Sequence, residues 1–240
     1  MIAKLRGALN RRRPFPLRLA ALAHCRVSYS QFGEDLFIQS LLPEPTRGGF
    51  YVDVGCYRPV QFSNTYRLYQ LGWRGLAIDA SQRWQREWSS VRPRDTFIVQ
   101  PIAEKAKPML MCFDNVYPTC SRLIDPAGTP NAPELRDPRY TITEITAKPL
   151  SDVLTAHVAP ENFDFLNVDC EGLDLQVLAS LDLRRYKPRV IAVEDHDVTC
   201  ESETSRLLCS YHYRLAAMIG YTKVFERAPC GEPRSLRTTS

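Results

Sequence analysis

The sequence lacks any long apolar run. Its longest candidate, Leu17 to Ala23, is short and contains Arg18, whereas a membrane-spanning helix needs about 20 predominantly apolar residues. We therefore expect no membrane-spanning helix. The overall composition, 44% hydrophobic and 24% charged residues, is that of an ordinary soluble domain, and 240 residues fit one domain with a sizeable core.

Paired cysteines are also lacking. The eight cysteines form no CxxC pair and show no spacing typical of a metal site. Several lie within apolar runs, where a free thiol packs as a small hydrophobic group. This usage predicts a reducing compartment and no disulfide framework, and it points to no metal.

Acidic residues are absent from the first 33 positions. Seven cations precede the first acid, Glu34: they are Lys4, Arg6, Arg11, Arg12, Arg13, Arg18 and Arg26. Beyond these seven, 24 basic residues face 27 acidic ones. A protein that binds nucleic acid normally carries a basic working face. The charge distribution therefore argues against a nucleic-acid partner.

Three interpretations of the basic N-terminal extension, residues 1–27, stay open. The extension rests on an anionic membrane surface, where each Lys or Arg contributes about 1 kcal/mol, or it is a targeting segment, or it is a solvated tail. We expect a cytoplasmic protein, peripheral at the membrane if the first interpretation holds.

Four apolar stretches end in acidic residues. They are Phe50–Val54 with Asp53, Gly75–Asp79, Phe163–Asp169 and Arg189–Asp197. They alternate with helical patterns, which predicts an α/β fold with a doubly wound, mostly parallel sheet. Right-handed crossovers bring the carboxyl ends of such strands to one edge. Ligands bind outside that edge, so we expect the acids to surround a binding site.

The first of these strands carries the strongest local signal. Gly55 follows Asp53 directly and lets the backbone come close to a ligand. Asp79 ends the next strand 26 positions later, near the ~20-residue offset at which a nucleotide-binding unit places its ribose-binding carboxylate. The G-x-G-x-x-G signature is missing after Val54, which argues against a nicotinamide-dependent dehydrogenase.

Between 116 and 140 the hydrophobic periodicity is lost and prolines recur. An irregular insert of this length is usually a functional lid or a disordered loop. We expect Met109–Phe113, just before it, to pair with a third strand at Thr96–Ala103. Towards the end, the pattern predicts a helix from Glu203 to Ile219 and a last strand at Tyr221–Arg227.

Several stretches together resemble the FkbM family of S-adenosylmethionine-dependent methyltransferases. They lie between about 28 and 228 and are Ser30–Asp35, Tyr51–Gly55, Ser63-Asn64-Thr65, Gly72–Gly75 with Ile78–Ala80, and Asp164–Leu175. Asp169-Cys170-Glu171-Gly172 is the most specific piece. The resemblance implies a class I, Rossmann-like methyltransferase domain at 28–228, followed by a C-terminal tail at 229–240.

The resemblance also implies a cofactor, a reaction and roles for particular residues. The cofactor would be S-adenosyl-L-methionine, and the reaction O-methylation of a hydroxyl on a sugar or other small-molecule or glycan acceptor. Asp53 and Gly55 would face its methionine part, Asp79 its ribose, and Ala103 its adenine. Asp169 and Glu171 would lie at the transferred methyl, with Asp169 also touching the cofactor.

Two features depart from the family pattern. Bulky residues, Cys56 to Pro59, follow Gly55, where the family often has a further glycine or a small residue. The superfamily ends in an antiparallel strand pair, whereas the pattern here predicts only Tyr221–Arg227. The seventh strand is thus predicted to be weak or missing, which leaves a binding protein with the same fold and little or no catalysis as the alternative function.

Three residues are candidate bases for removing the acceptor's proton: Asp169, Glu171 and His196. An unperturbed histidine has a pKa near 6.5, and a positioned carboxylate accepts a proton when its pKa is raised. The alternative for the two acids is a role in capping the end of the strand. The same three side chains would also suit a divalent ion, although no spacing in the sequence requires one.

The basic extension generates the first testable prediction. We expect a variant that starts after residue 26 to fold normally but to lose sedimentation with anionic lipid vesicles at low salt, because it lacks the seven cations. Neutral vesicles serve as the control. Equal sedimentation of the full-length and truncated proteins would contradict a membrane role.

Overall fold

The computed structural model describes residues 24–42 and 48–228. The basic N-terminal extension, apart from residues 24–27, the segment 43–47 and the C-terminal tail at 229–240 lie outside these ranges. None of the helices in the described ranges combines the length and the apolar character that a membrane-spanning helix requires.

A seven-stranded sheet forms the centre of the molecule. Its strands are β1 (Phe50–Val54), β2 (Arg74–Asp79), β3 (Thr96–Val99), β7 (Phe165–Val168), β8 (Val190–Glu194), β9 (Tyr213–Ile219) and β10 (Thr222–Arg227). Their order across the sheet is β3-β2-β1-β7-β8-β10-β9. The first five are mutually parallel, and β10 runs antiparallel to both β8 and β9.

The sheet is covered on both faces, because alternate residues of its strands lie in different apolar clusters. Val52 and Val54 of β1 pack with residues of the helices α4 (Leu150–Ala156), α5 (Asp174–Ala179) and α6 (Glu203–Ser210). Tyr51 packs on the opposite face with residues of α1 (Glu34–Leu41) and α2 (Tyr66–Gln70). A sixth helix, α3 (Gln85–Val91), packs through Trp88 against Ala77 and Cys56. The predicted doubly wound, mostly parallel α/β fold is therefore confirmed.

The central strands β7 and β8 are apolar almost throughout. All four residues of β7 and the first four of β8 are buried. A parallel strand that is covered by helices on both faces reads as a continuous apolar run, which is why these stretches stood out in the sequence.

The strand pair at the C-terminal end is complete, so the prediction of a weak or missing seventh strand was wrong. The last helix ends at Ser210, not Ile219, and His212 adopts a left-handed conformation with φ 66°. β9 then pairs with β10 through a two-residue turn at Gly220 and Tyr221. Leu, Ala and Met in β9 favour a helix locally, but pairing with β10 overrides that preference.

A second sheet of three strands lies in the insert between β3 and α4. It consists of β4 (Lys107–Asp114), β5 (Arg122–Ile124) and β6 (Tyr140–Ala147), in the order β5-β4-β6. The prediction that Met109–Phe113 pairs with the third strand was therefore wrong. β4 pairs along its whole length with β6, and a partner so far along the chain leaves no mark in the local pattern.

Residues 116–140 connect these strands. Besides β5 they contain two short 3-10 turns, at Pro118–Cys120 and Pro133–Leu135. Prolines stand at the start of both turns, where the missing N–H costs no helical hydrogen bond. The insert is thus a small sheet with irregular crossings, and a role as a lid stays a prediction.

A buried arginine ties the end of α3 to the central sheet. The Arg92 side chain is about 1% exposed and forms an ion pair with Asp95 at 2.7 Å. Its other hydrogen bonds go to the Tyr51 hydroxyl, the Thr65 and Ser63 hydroxyls, and the Pro59 carbonyl. All five N–H groups of a guanidinium are used in this way.

This arrangement generates a prediction for stability. We expect Arg92→Met to lower the free energy of unfolding by about 3–5 kcal/mol, because removal of one partner leaves the Asp95 charge buried and uncompensated. Urea denaturation measures the loss, and Arg86→Met, at an exposed position of the same helix, is the control. A loss below about 1 kcal/mol for Arg92→Met would contradict the assigned role.

Candidate active site

A cavity of about 380 Å³ opens at the carboxyl ends of the parallel strands. Residues at the ends of β1, β2, β7 and β8 line it, together with residues of β4, β5 and the turn between them. The four acid-bearing strand ends therefore lie at one edge, as the crossover rule predicts. Five carboxylates line the cavity: Asp53, Asp79, Asp169, Glu171 and Glu194.

Gly55 lies where the loop after β1 passes very close to the backbone that follows β7. Its φ is 77°, and a Cβ at this position would lie 1.6 Å from the carbonyl oxygen of Asp169. The amide of Gly55 donates to the carbonyl of Ile78 at 2.9 Å. Only glycine allows the loop after β1 to turn between β2 and β7. Backbone packing therefore requires glycine at this position, whether or not a ligand also approaches it.

The Asp53 carboxylate is buried, about 2% exposed, and its oxygens have protein partners. Oδ2 accepts from the Thr65 hydroxyl at 2.5 Å, and Oδ1 accepts from the Asn167 side chain at 2.9 Å. Burial raises the pKa of Asp53, although both hydrogen bonds oppose the rise. The side chain thus forms the floor of the cavity and is held rigidly.

The Asp79 carboxylate fastens the loops that border the cavity. It accepts from the backbone amides of Tyr57 at 3.0 Å and Ser81 at 2.7 Å. Burial raises its pKa to about 6. A carboxylate has about four lone-pair positions, so Asp79 retains capacity to accept hydrogen bonds from a ligand. The bulky Tyr57 after Gly55 is accommodated because its left-handed backbone, φ 45°, directs its amide to Asp79.

Ala103 does not line the cavity. It is buried in a separate apolar cluster with Met109 and Ala147, and its amide donates to the Lys148 carbonyl. The neighbouring segment 100–102 lines the cavity instead. The structure thus brings together Asp53, Gly55, Asp79, Asp169, Glu171 and His196 in one cavity lining and leaves Ala103 outside it.

Three carboxylates, Asp169, Asp174 and Glu194, are concentrated beside this cavity. Each has an oxygen within 4.8 Å of an oxygen of the other two. The enclosed position of Asp169 and the nearby charges, Glu194 first and then Asp174, raise its pKa well above the ordinary range. The side chain nevertheless stays exposed towards the cavity. A proton or a positively charged group is therefore favoured at this point.

Asp174 is the structural member of the group. It is buried at the first turn of α5, and its oxygens accept from the amides of Cys170 at 2.7 Å and Gly172 at 3.0 Å. Burial raises its pKa to about 6. These bonds fix the loop that carries Asp169 and Glu171.

Glu171 lies in that loop with an exposed side chain and a left-handed backbone, φ 50°. Leu173, the residue that precedes α5, makes no side-chain cap, and Asp174, not Glu171, bonds the free amides there. The capping alternative for Glu171 is therefore not what the geometry shows. Partial burial and the charge of Glu194 raise the Glu171 pKa to about 7.

His196 follows β8 and also lines the cavity. Its Nε2 lies 3.8 Å from Oε1 of Glu194, and its ring packs at 4.9 Å from the Tyr221 ring. Behind it, the buried Lys223 ammonium donates to Asp195, to the Ser202 hydroxyl and to the Thr199 carbonyl. These bonds hold the loop that follows β8 in place.

Sequence reasoning missed Glu194 and Asp174 as site residues. Glu194 ends β8, and its Oε2 is buried with no hydrogen-bond partner among the described residues. The signal was present, since Glu194 closes an apolar strand as Asp79 does. The three side chains whose ligand atoms lie close enough to hold a metal ion are Asp169, Asp174 and Glu194. The set considered from the sequence was instead Asp169 with Glu171 and His196.

A comparison with protein families finds one matching model. The Methyltransferase FkbM domain matches residues 53–215, a span that begins at Asp53 of β1 and ends within β9. No curated protein matches the sequence.

Two solved structures are similar to this chain at 13% sequence identity. One is the methyltransferase FkbM from Methylobacillus flagellatus KT, with a TM-score of 0.46, which covers 75% of this chain; this chain spans only 43% of that protein. The other is a TehB-like SAM-dependent methyltransferase from Corynebacterium glutamicum, with a TM-score of 0.41; the match covers 95% of this chain and 100% of that one.

The acid cluster generates a prediction that needs no ligand. We expect the Glu171 carboxyl to titrate near pH 7 and, in Glu194→Gln, to titrate closer to the ordinary value of about 4.3, because one repelling charge is removed. Carbon-13 NMR of the glutamate carboxyls measures both values. Glu161→Gln, at an exposed position before β7, is the control. An unchanged Glu171 titration in Glu194→Gln would contradict the coupling.

Proposed function

The chain belongs to the FkbM methyltransferase family, and on this premise we propose that it transfers a methyl group from S-adenosyl-L-methionine to a hydroxyl of a sugar or other small-molecule or glycan acceptor. The observation that carries the proposal is the charge of the cavity. Its five lining carboxylates surround a space large enough for a ligand at the edge of the sheet where α/β folds bind ligands.

The residues of the cavity fit this cofactor. The cofactor carries a sulfonium and an ammonium group, and a ligand cation is favoured where acids are crowded and their charges are poorly compensated. The buried Oε2 of Glu194 has no hydrogen-bond partner among the described residues. An oxygen of Asp169 lies within 4.8 Å of oxygens of Asp174 and Glu194. Asp79 would accept hydrogen bonds from ribose hydroxyls, and Gly55 with Asp53 would border the methionine part.

When bound, the cofactor supplies an electrophilic methyl carbon. The residues of this chain would hold the acceptor oxygen in line with that carbon, and such positioning contributes up to roughly 7–11 kcal/mol to catalysis. They would also accept the proton that the hydroxyl loses. Glu171 suits this step best, since its pKa of about 7 is near the working pH, where a general base is most effective.

Asp169 would act beside it. Its raised pKa lets it share a proton with its neighbours. His196 is close to Glu194 and exposed, so it would relay the proton onward to solvent. The assignment of Glu171 as base, Asp169 as its partner and His196 as relay is the proposed division of roles.

The alternative, a binding protein that has lost catalysis, rested on the bulky residues after Gly55 and on a missing strand. The strand pair β9–β10 is present, and Tyr57 is accommodated by its bond to Asp79. The structural reasons for that alternative are thereby weakened, and turnover decides between the two.

The first experiment measures the cofactor and the reaction together. We expect calorimetry to show binding of S-adenosyl-L-methionine, and mass spectrometry over a panel of sugar and lipid-linked acceptors to detect the gain of one methylene. Asp79→Ala should weaken cofactor binding by about 1.5–3 kcal/mol, the contribution of a hydrogen bond to a charged group. Unaltered affinity in Asp79→Ala would contradict the ribose assignment.

Amide variants then separate binding from catalysis. Glu171→Gln and Asp169→Asn should retain the melting temperature and bind the cofactor, while kcat falls about 10²–10⁴-fold. In the wild type, kcat should rise with pH through about 7, because Glu171 is the active base only when deprotonated; Glu171→Gln should abolish this rise. Turnover within a few-fold of the wild type for both variants would contradict the catalytic roles of Glu171 and Asp169, and His196 would then be the next candidate base.

A further inference from the structure

The cavity is acidic except at one place. Among the described residues that line it, Arg122 is the only lysine or arginine. The carboxylates sit on the strand ends of the main sheet, whereas Arg122 sits on β5 of the insert. The acids and this one guanidinium therefore come from different parts of the fold.

Arg122 is held in place by the insert itself. It forms an ion pair with Glu134, which lies in the 3-10 turn at Pro133–Leu135 and is about 6% exposed. Its backbone pairs with Cys112 of β4. Cys112 lies in the small sheet and Glu134 in a turn of the same insert, so the guanidinium is presented by a supported element and not by a free loop end.

Most of the guanidinium remains available. It has five N–H donors, and in the described residues only one hydrogen bond, to Oε1 of Glu134, uses them. The Arg122 side chain is about 45% exposed. Its charge also acts within the cavity, since it lowers the pKa of Glu171 and so partly opposes the rise that burial and Glu194 cause.

We propose that Arg122 is the anion-binding group of the cavity, and that Glu134 positions it, so that a carboxylate or phosphate group of a bound molecule pairs with the insert while its uncharged or cationic part lies over the acids of the main sheet. This deepens the proposed function and rests on it. In the part of the chain that the structure describes, the cavity lining offers an anionic group no other lysine or arginine, and near the strand ends of the main sheet the group would meet Asp169, Glu171 and Glu194.

Two molecules of the proposed reaction can supply such a group. The cofactor carries a carboxylate at the end of its methionine part, and an acceptor can carry a phosphate or a carboxylate. The guanidinium recognises both through paired N–H donors. The experiment therefore has one arm for each source.

Arg122→Met removes the charge and keeps much of the aliphatic stem. Calorimetry compares its binding of S-adenosylhomocysteine, which has the carboxylate, with that of methylthioadenosine, which lacks it. A second arm titrates inorganic phosphate into the S-adenosylhomocysteine complex and follows the signals of arginine N–H groups by NMR. Arg136→Met is the matched control, because Arg136 lies in the same insert, is exposed and bonds Asn131 rather than lining the cavity.

A loss of about 10- to 100-fold in affinity for S-adenosylhomocysteine but not for methylthioadenosine, the size expected for a charge-assisted bond, assigns Arg122 to the cofactor. Unchanged S-adenosylhomocysteine binding with phosphate binding lost in Arg122→Met assigns it to the acceptor. Glu134→Gln should give the same pattern at smaller size while Arg122 stays charged. If the wild type, Arg122→Met and Arg136→Met bind S-adenosylhomocysteine with equal affinity and respond equally to phosphate, the proposal is overturned. Arg122 then only stabilises the insert.

The outcomes also separate this proposal from the proposed function. A wild type that binds no S-adenosylhomocysteine and yields no methylated product contradicts the methyltransferase assignment. A wild type that binds and turns over, with Arg122→Met unaffected in both arms, leaves that assignment intact and removes only the anion site.

Discussion

The site depends on the ion pair and hydrogen bonds of one buried group, the guanidinium of Arg92. An uncompensated charge in a protein interior costs several kcal/mol, so its surroundings must satisfy it completely. Here they do: Asp95 supplies the opposite charge at 2.7 Å, and the Tyr51 hydroxyl of β1 together with oxygens of the segment after β1 take the remaining N–H groups. The aromatic ring of Trp88 lies 4.3 Å from the guanidinium carbon and shields it from water.

A chain of hydrogen bonds connects Arg92 to the floor of the cavity. Thr65 accepts from Arg92 and donates to Asp53, Asn167 donates to Asp53 from the other side, and Asn64 donates to Asn167. Each group in this chain is buried, where a lost partner is costly, so the members hold one another in a single arrangement. The floor of the cavity is therefore fixed before any ligand arrives.

The opposite wall is built differently. The insert has its own small apolar cluster, with Cys112, Ile124 and Ala132, and it contributes Arg122, the one lysine or arginine among the described residues that line the cavity. The proposed anion site rests on this arrangement: among the described residues that line the cavity, the acids belong to the main sheet and its loops, and the one guanidinium belongs to the insert.

The sequence alone determined the parallel sheet and the acidic edge, because a strand buried on both faces must be apolar throughout and its terminal acid then stands out, as Asp79 and Asp169 do. It also pointed to Gly55. It could not show that β4 pairs with β6, that Tyr213–Ile219 is a strand, or that Asp174 and Glu194 approach Asp169. Those facts depend on contacts between residues far apart in the chain, where pairing and burial outweigh local preference. Only the tertiary structure decides them.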